Sequence, residues 1–392
     1  MMYQFQAEKS PRFAGENHLL AATVFLLTGL GLVVLYSASY ESAARWFRDG
    51  GLHFVSRQLV AAGLGLVFFF ITSRMNLKYA RSGARALLIF SFILCILVFV
   101  PGIEDPRNGA SRWIKVPGGT FQPSELVKLA LPLYLAYNFD KNRDGLNKIT
   151  TGVLLPVLIT AFFFLIIYLQ NNFSTAAFIA ANALVILFLA GSRLYYFFSG
   201  IILLLPCAGL LILTKEHRLR RILSFLRPEW DPQGAGYQVD SSMKAIAAGG
   251  AWGKGLGQGT KKIASIPEVH SDFIFSAFSE ELGFMGVVVV FILFGVFAFL
   301  GYRGALRAGD TFRRLLGCGL VTTIITQAML NIAVVSGSLP VAGLPLPFFS
   351  AGGSSLIITL GMAGLLVNVC RSRDDNRFPA LSRAGTGGAY GA

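Results

Sequence analysis

Three carboxylates stand at the beginning of a long apolar segment: Asp272, Glu280 and Glu281. The twenty residues that follow Glu281 carry no charge, which is enough to cross the hydrocarbon core of a bilayer as a helix. We therefore expect residues 272–281 to line a cavity at the outer interface, because carboxylates that face lipid are costly. Asp272 can be a functional carboxylate of that cavity, or it can cap the helix that follows. Local sequence leaves both roles open, and capping is the commoner use of Asp at a helix start.

A second ionisable pair, Glu125 and Lys128, lies inside another apolar segment, with the two residues three positions apart. On a helix this spacing puts both side chains on one face, where they can neutralise each other. A structural ion pair is the modest interpretation, whereas an ionisable group inside a membrane span is by default a functional candidate. Gln327 and Asn331, four positions apart, give a later span a polar face. We interpret that face as a site of hydrogen bonding between helices.

Residues 249–262 form a glycine-rich basic segment that contains Lys254, Lys261 and Lys262. A Walker A loop requires Gly-x-x-x-x-Gly-Lys followed by Ser or Thr, and this segment has neither that spacing nor a preceding strand. Its backbone N–H groups and lysines could still bind an anionic group. A flexible loop beside anionic lipid head groups is an equally good interpretation.

The elements that must position these residues are membrane helices. Of the 392 residues, 54% are hydrophobic and only 14% are charged, against about 25% charged in soluble domains, which argues against a soluble enzyme. Ten apolar runs are each close to the ~20 residues needed for a membrane span. We predict an all-α integral membrane protein with about ten transmembrane helices, at residues 19–38, 54–73, 86–101, 123–139, 152–169, 173–190, 195–214, 274–301, 315–337 and 350–370.

Basic residues are distributed unevenly between the two predicted sides of the membrane. With a cytoplasmic N-terminus, eighteen of them fall in inner segments and five in the short outer loops, as the positive-inside rule requires. The net charge of +14 therefore indicates topology and no nucleic acid partner. We predict a cytoplasmic N-terminal segment at 1–18, a polytopic membrane domain at 19–371, and a disordered tail at 372–392 with a cytoplasmic C-terminus.

One long segment, residues 215–271, contains no span, and the topology places it outside the cytoplasm between the seventh and eighth helices. It carries nine basic residues together with aromatic and aliphatic ones, and it lacks the Ser, Gln and Pro bias of a spacer. Long loops of this kind are usually functional. We expect this large extracytoplasmic loop to form short helices on the outer membrane surface and to hold the working chemistry.

Four motifs, over nearly the whole chain, resemble those of the SEDS family. They are Gln122-Pro123-Ser124-Glu125-x-x-Lys128; Phe225-Leu226-x-Pro228-x-x-Asp231-Pro232-x-Gly234-x-Gly236-Tyr237-Gln238; Pro267-Glu268-x-His270-x-Asp272-Phe273-Ile274-Phe275 with Glu280-Glu281-Leu282-Gly283; and Leu344-Pro345-Leu346-Pro347-Phe348-x-Ser350-x-Gly352-Gly353-Ser354-Ser355. The resemblance implies a bacterial peptidoglycan glycosyltransferase that polymerises lipid II at the outer face of the cytoplasmic membrane. Within the family the chain resembles the septal branch, FtsW, more than the elongation branch, RodA; RodA and the sporulation paralogue remain alternatives.

The same resemblance implies that Asp272 is the catalytic carboxylate, and it shifts our preference from cap to general base. The acceptor is a sugar 4-hydroxyl, whose proton we expect Asp272 to take. The donor loses undecaprenyl pyrophosphate, whose growing charge cations would stabilise. The candidate substrate-binding residues are Lys128, Glu125, Lys254, Lys261, Lys262, Arg218, Arg221, His270, Glu268, Ser354 and Ser355.

The resemblance also implies partners and a location. We expect no tightly bound cofactor, although Mg²⁺ or Mn²⁺ suits a pyrophosphate leaving group, and we identify no set of metal ligands. The expected protein partners are a class B penicillin-binding protein, which would supply cross-linking, and other divisome proteins. Lipid II and membrane lipid are the expected lipid partners, and the division septum is the expected place.

Two segments depart from the family pattern. The usual Gln-Pro-Asp-x-Gly-Thr reads Gln170-Asn171-Asn172-Phe173-Ser174-Thr175 here, and the usual Ser-Tyr-Gly-Gly reads Ser350-Ala351-Gly352-Gly353. A transporter of lipid-linked precursors is the main alternative function, since ten spans and intramembrane ionisable groups suit transport equally well. A non-catalytic scaffold for septum assembly is the third.

Overall fold

A computed structural model of the protein describes residues 15–46, 52–107, 110–117, 119–142, 153–192, 195, 198, 200–202, 206, 209, 214–227, 234–259 and 271–371. The helices in these ranges are α1 (Glu16–Trp46), α2 (His53–Arg74), α3 (Leu77–Leu97), α4 (Pro123–Lys141), α5 (Leu155–Leu169), α6 (Phe173–Leu189), α7 (Glu216–Leu226), α8 (Ala235–Gly249), α9 (Ile274–Leu306), α10 (Thr311–Val335) and α11 (Gly353–Arg371). All except α7 and α8 overlap predicted spans. The remaining predicted span, 195–214, lies largely outside the described residues, as do most of the N-terminal segment and the whole tail.

Helices α1, α2, α3, α9, α10 and α11 are long and apolar enough to cross a membrane, and α5 and α6 are shorter apolar helices, within the part of the chain that the structure describes. Helix α4 differs, because nearly all of its side chains are buried among the other helices. The chain is therefore a multi-pass membrane protein. The total of ten spans and their orientation across the membrane stay predictions.

The third predicted span shows that an apolar run predicts the presence of a membrane helix better than it predicts where that helix begins and ends. The run begins at residue 86, whereas α3 begins at Leu77 and ends at Leu97. The side chain of Asn76 caps this start by accepting a hydrogen bond from Lys78 N at 3.0 Å. The polar first turns contribute Arg81 to an ion pair with Asp140 near the end of α4. The predicted boundary was wrong because charged helical turns carry no apolar signal.

A three-stranded antiparallel sheet, absent from the predicted all-α architecture, lies between α3 and α4. Strand β2 (Ala110–Val116) pairs on one side with β1 (Glu104–Arg107) and on the other with β3 (Gly119–Phe121). The register places Ile114 opposite both Glu104 and Phe121. Alternation over such short strands is a weak signal beside long apolar runs. The sheet matters for the candidate site because its central strand carries Arg112.

Helix α9 is broken at Gly283, whose φ of 64° and ψ of −165° are not helical. The part before the break is buried, whereas the part after it exposes Phe284 and other apolar side chains. This division agrees with the expectation that residues 272–281 precede the spanning helix. Glycine is required at the break, because a Cβ on Gly283 would collide with the backbone nitrogen of Gly253.

The large loop contains two short helices, α7 and α8, as expected. After α8 the chain folds back onto the break in α9, where Phe284 N donates to Gly250 O at 2.9 Å and Met285 N donates to Ala251 O at 3.1 Å. Helix α8 is also tied to the end of α10, because Ser242 Oγ donates to Val335 O at 2.7 Å. The described parts of the loop are therefore attached to the membrane helices.

Helices α2 and α11 approach closely along their lengths. A Cβ on Gly364 would collide with the carbonyl oxygen of Phe69, so the small residue permits this contact. Near the end of α11, Asn368 Nδ2 donates to Thr72 O at 2.8 Å and also to Met75 O. The other end of α11 leads back through residues 336–352 to α10, and this connecting segment forms one wall of the candidate site.

Candidate active site

Helix α7 carries two of the predicted arginines and brings Arg218 to the end of α5 and the start of α6, and Arg221 to the segment between α10 and α11. Arg218 is buried, and its guanidinium carbon lies 4.3 Å from the ring centre of Tyr168 and 5.4 Å from that of Phe173. These cation–π contacts hold the cationic helix against aromatic side chains. Arg221 is half-buried and donates from Nη1 to Val341 O at 3.4 Å.

A third arginine, Arg112, enters the site from strand β2. Its Nη2 donates to the backbone carbonyl of Asn171, between α5 and α6. Its Nε is buried and has no hydrogen-bond partner among the residues that the structure describes. The charge distribution along the sequence predicts Arg112 only as an outer-loop charge and does not mark it as a site residue. The pattern of positive residues could not reveal it, because the pairing of β2 decides where the side chain lies.

Asp272 lies at the entrance to α9 and is half-buried. The N-cap position of this helix is Phe273, so Asp272 precedes the cap. The carbonyl oxygen of Asp272 accepts a hydrogen bond from Asn331 Nδ2 at 2.8 Å. A Cβ placed on Gly343 would lie 3.4 Å from Asp272 Oδ2, so the carboxylate faces the segment that connects α10 and α11.

The charges of these residues act on one another. Burial lowers the pKa of Arg112, the positive charges of Arg221 and Arg218 lower it further, and the negative charge of Asp272 raises it. Burial likewise lowers the pKa of Arg221, which Asp272 raises and Arg218 lowers. Arginine stays protonated in proteins. Asp272, Arg112, Arg218 and Arg221 therefore form one electrostatic unit, called here the Asp272–arginine cluster.

The predicted pair Glu125 and Lys128 forms an ion pair of 2.5 Å, with side chains 4% and 1% exposed. Lys128 Nζ also donates to Gln327 Oε1 at 2.8 Å, and Gln327 Nε2 donates to Pro345 O at 2.7 Å. The expectations of a neutralised pair and of hydrogen bonding between helices are both confirmed. Lys128 also lines a small cavity between α4, α6 and α10. Whether Lys128 or Glu125 contacts substrate stays a prediction.

The described part of the glycine-rich segment, residues 249–259, packs against the break in α9, and whether the segment binds an anionic group stays a prediction. A Cβ on Gly253 would collide with the carbonyl oxygen of Glu281. Lys254 Nζ forms an ion pair with Glu280 at 2.8 Å. Glu281 accepts hydrogen bonds from Ser37 Oγ at 2.6 Å and from Gly257 N at 3.2 Å. The two buried carboxylates thus hold this segment in place.

Two of the remaining predicted residues, Ser354 and Ser355, lie at the start of α11. Ser354 Oγ accepts a hydrogen bond from Gln122 N at 3.1 Å and donates to Thr120 O at 3.3 Å, which ties α11 to the start of α4. Ser355 is buried beside it. The candidates outside the described residues are Lys261, Lys262, Glu268 and His270. No group of three His, Cys, Asp or Glu side chains that could hold a metal occurs among the described residues.

Known proteins resemble this chain over most of its length. A curated relative from Trichlorobacter lovleyi, named probable peptidoglycan glycosyltransferase FtsW, is 40% identical over 358 residues, which cover 91% of this chain and 94% of the relative. Stage V sporulation protein E of Bacillus subtilis is 38% identical, over 90% of this chain and 96% of the relative. A chain from work on structural coordination of polymerization and crosslinking by a peptidoglycan synthase complex has a TM-score of 0.76 and 30% identity, over 91% of this chain and 98% of that one.

The family comparison covers the same part of the molecule as the fold and the site. The family model described as cell cycle protein, for FtsW, RodA and SpoVE, matches residues 17–375, which include every helix described above except the first residue of α1. The chain belongs to the FtsW, RodA and SpoVE family of cell cycle proteins.

Proposed function

We propose that the chain is a peptidoglycan glycosyltransferase that polymerises lipid II into glycan strands, with Asp272 as the general base. The observation that carries the proposal is the Asp272–arginine cluster, in which one carboxylate at the entrance of a membrane helix lies within electrostatic range of buried and half-buried arginines. The reaction needs a negatively charged base to take the proton of the acceptor and positively charged groups to stabilise the leaving group. The FtsW-named relatives, at about 40% identity, support the same activity.

The carboxylate acts on the acceptor. A sugar 4-hydroxyl is a poor nucleophile at neutral pH, and a carboxylate within hydrogen-bond reach contributes typically 10²–10⁴-fold by taking its proton. As the hydroxyl oxygen bonds to the anomeric carbon of the donor, the bond from that carbon to the pyrophosphate oxygen breaks. The proton passes to Asp272, and undecaprenyl pyrophosphate departs with the electron pair of the broken bond.

The arginines act on the leaving group. Guanidinium groups present several N–H donors in a planar fork that matches phosphate oxygens. Arg112 and Arg221 approach from β2 and α7, and the buried Nε of Arg112 is available for such an oxygen. Stabilising the charge that develops in the transition state is usually the largest catalytic term. Arg218, which packs against the rings of Tyr168 and Phe173, adds to the positive electrostatic potential at the site.

No tightly bound cofactor is part of this proposal. The charged residues of the cluster are one carboxylate and three arginines, which do not fit a protein-held metal site. Mg²⁺ or Mn²⁺ would instead reach the site with the pyrophosphate of the substrate.

We further propose that the chain works with a class B penicillin-binding protein and other divisome proteins in the cytoplasmic membrane, at the division septum. The similar chain in a complex that coordinates polymerization and crosslinking supports a cross-linking partner. The FtsW-named relatives support the division role, although the sporulation relative is nearly as similar. Imaging a fluorescent fusion in dividing cells tests the location, and signal along the side wall during growth would point to elongation instead.

The activity is tested by measuring glycan strands formed from purified lipid II in detergent, with and without the partner. We compare wild type, Asp272→Asn and a matched Asp240→Asn control. Asp240 is a suitable control because it lies on α8, 43% exposed, and pairs with Lys244 at 2.6 Å. We expect polymer from wild type and the control and none from folded Asp272→Asn. Equal polymer from Asp272→Asn would remove the base assignment. No polymer in any arm would overturn the polymerase and favour the lipid-linked precursor transporter.

A further inference from the structure

We infer that Asn331 is a positioning residue for Asp272, an inference that rests on the proposed function. Asn331 lies on α10 and is 2% exposed. Its single amide nitrogen donates to two backbone carbonyls, Asp272 O at 2.8 Å and Leu344 O at 2.8 Å. Both oxygens are within hydrogen-bond reach of one nitrogen, so Asn331 holds the two backbone segments side by side.

The first of these bonds fixes the backbone from which the carboxylate projects. Asp272 lies one residue before the N-cap of α9, and the N-cap residue Phe273 makes no side-chain capping bond. Phe273 therefore does not itself supply the side-chain bond that Ser, Thr, Asp or Asn supplies at the N-cap of many helices. Asn331 provides an anchor from a neighbouring helix. Since the Asp272 side chain has only two torsions, its backbone position determines which volume the carboxylate can reach.

The second bond fixes the wall that faces the carboxylate. Leu344 follows Gly343, where a Cβ would lie 3.4 Å from Asp272 Oδ2. The same segment presents Val341 O to Arg221 Nη1 at 3.4 Å. One amide thereby connects the backbone of the base, the wall beside it and the segment that Arg221 contacts. We conclude that Asn331 helps to set the spacing between the base and the leaving-group cation.

The remaining polar atom of Asn331 favours a positional role over a purely structural one. Its Oδ1 is buried and has no hydrogen-bond partner in the described part of the chain. A buried acceptor without a partner carries a free-energy cost that an apolar side chain would avoid. Gln327, one turn earlier on the same helix, uses both its Oε1 and its Nε2. On the polar face of α10, the amide of Gln327 thus forms hydrogen bonds through both its oxygen and its nitrogen. The amide of Asn331 forms them only through the nitrogen that donates to Asp272 O and Leu344 O.

The test compares Asn331→Leu with Asn368→Leu. Asn368 is a matched control, because it is 8% exposed and its Nδ2 also donates to two backbone carbonyls of another element. It lies fifteen residues, or about 22 Å of helix, beyond the start of α11. We expect Asn331→Leu to lower kcat for glycan formation about 10- to 100-fold, since small displacements of a catalytic group have effects of this size. The KM for lipid II should change less than about threefold, because no substrate contact is lost.

A second variant, Asn331→Ser, distinguishes a loss of positioning from a loss of folding. Asn331→Ser keeps one donor, which reaches at most one of the two carbonyls, so we expect kcat between those of wild type and Asn331→Leu. The apparent Tm in detergent is measured for each variant. Wild-type kcat in both Asn331 variants would overturn the inference. An equal loss of kcat in Asn368→Leu would also overturn it, because the effect would then reflect general loosening of the helices.

The wild-type and Asp272→Asn measurements separate this inference from the function on which it rests. Absence of polymer from wild type, or full activity in Asp272→Asn, would refute the proposed function or the base assignment directly. If wild type is active and Asp272→Asn is inactive, then unchanged kcat in the Asn331 variants refutes only the positioning role.

Discussion

The guanidinium of Arg112 donates a hydrogen bond to the backbone carbonyl of Asn171, a residue in the left-handed conformation with φ 59°. Asn171 belongs to the segment that departs from the family pattern, where proline is usual. Proline is locked near φ −65° and cannot adopt this conformation, whereas Asn tolerates it better than most residues. The departure at Asn171 and the position of Arg112 are therefore parts of the same local arrangement.

Restoring the usual proline should disrupt that arrangement. We expect Asn171→Pro to destabilise the chain by about 3 kcal/mol and to lower polymer formation, because the backbone must leave the left-handed region. Asn171→Gly should change stability by less than about 1 kcal/mol, since glycine adopts this conformation freely. Thermal unfolding in detergent measures both. Equal Tm values for the two variants would show that φ at this position is not important.

The role of α7 in catalysis can be tested with two neighbouring arginines. Arg221 lies in the Asp272–arginine cluster, whereas Arg220 is 63% exposed and pairs with Glu216 at 2.9 Å. We expect Arg221→Gln to lower kcat/KM at least about tenfold, because a charge on the leaving group loses its partner. Arg220→Gln should stay within about twofold of wild type, as exposed ion pairs contribute little. Similar losses in both variants would indicate a general electrostatic effect of the helix.

The buried pair Glu125 and Lys128 should be costly to break from one side. We expect Lys128→Met alone to destabilise the protein by about 3–5 kcal/mol, because it leaves the Glu125 carboxylate buried without its ammonium partner. The double variant Glu125→Gln with Lys128→Met should recover most of that stability. Thermal unfolding of the single and double variants provides the comparison. Polymer formation by the stable double variant would then show that the pair is structural, and its absence would support the predicted substrate contact.

The packing of the glycine-rich segment predicts unequal effects at two glycines that both have positive φ. Gly253 has φ 78° and backbone atoms where a Cβ would lie, whereas Gly257 has φ 80° and open space there. We expect Gly257→Ala to cost only the conformational strain, about 1 kcal/mol, and Gly253→Ala to cost more because the segment must separate from α9. Limited proteolysis measures how accessible the loop becomes in each variant. Equal protection of the loop from cleavage in both variants would contradict the packing of Gly253 against α9.

The sequence by itself determined the class of structure and much of the helical framework. Apolar runs of membrane length predict helices because the backbone must satisfy its own hydrogen bonds in lipid, so composition alone is informative. The spacing of Glu125 and Lys128 predicted their ion pair, since three residues bring two side chains to one helical face. The motif around Asp272 gave the candidate base only through its resemblance to a family.

Only the tertiary structure decided which residues surround Asp272. Arg112 comes from a short sheet, Arg221 from a loop helix and Asn331 from a distant helix, and no local pattern relates positions so far apart in the chain. The glycine-rich segment shows the same limit, because its glycines permit close backbone packing against Gly283 and Lys254 pairs with Glu280. Long-range packing fixes these contacts, and sequence spacing carries information only about neighbours on one helix or strand.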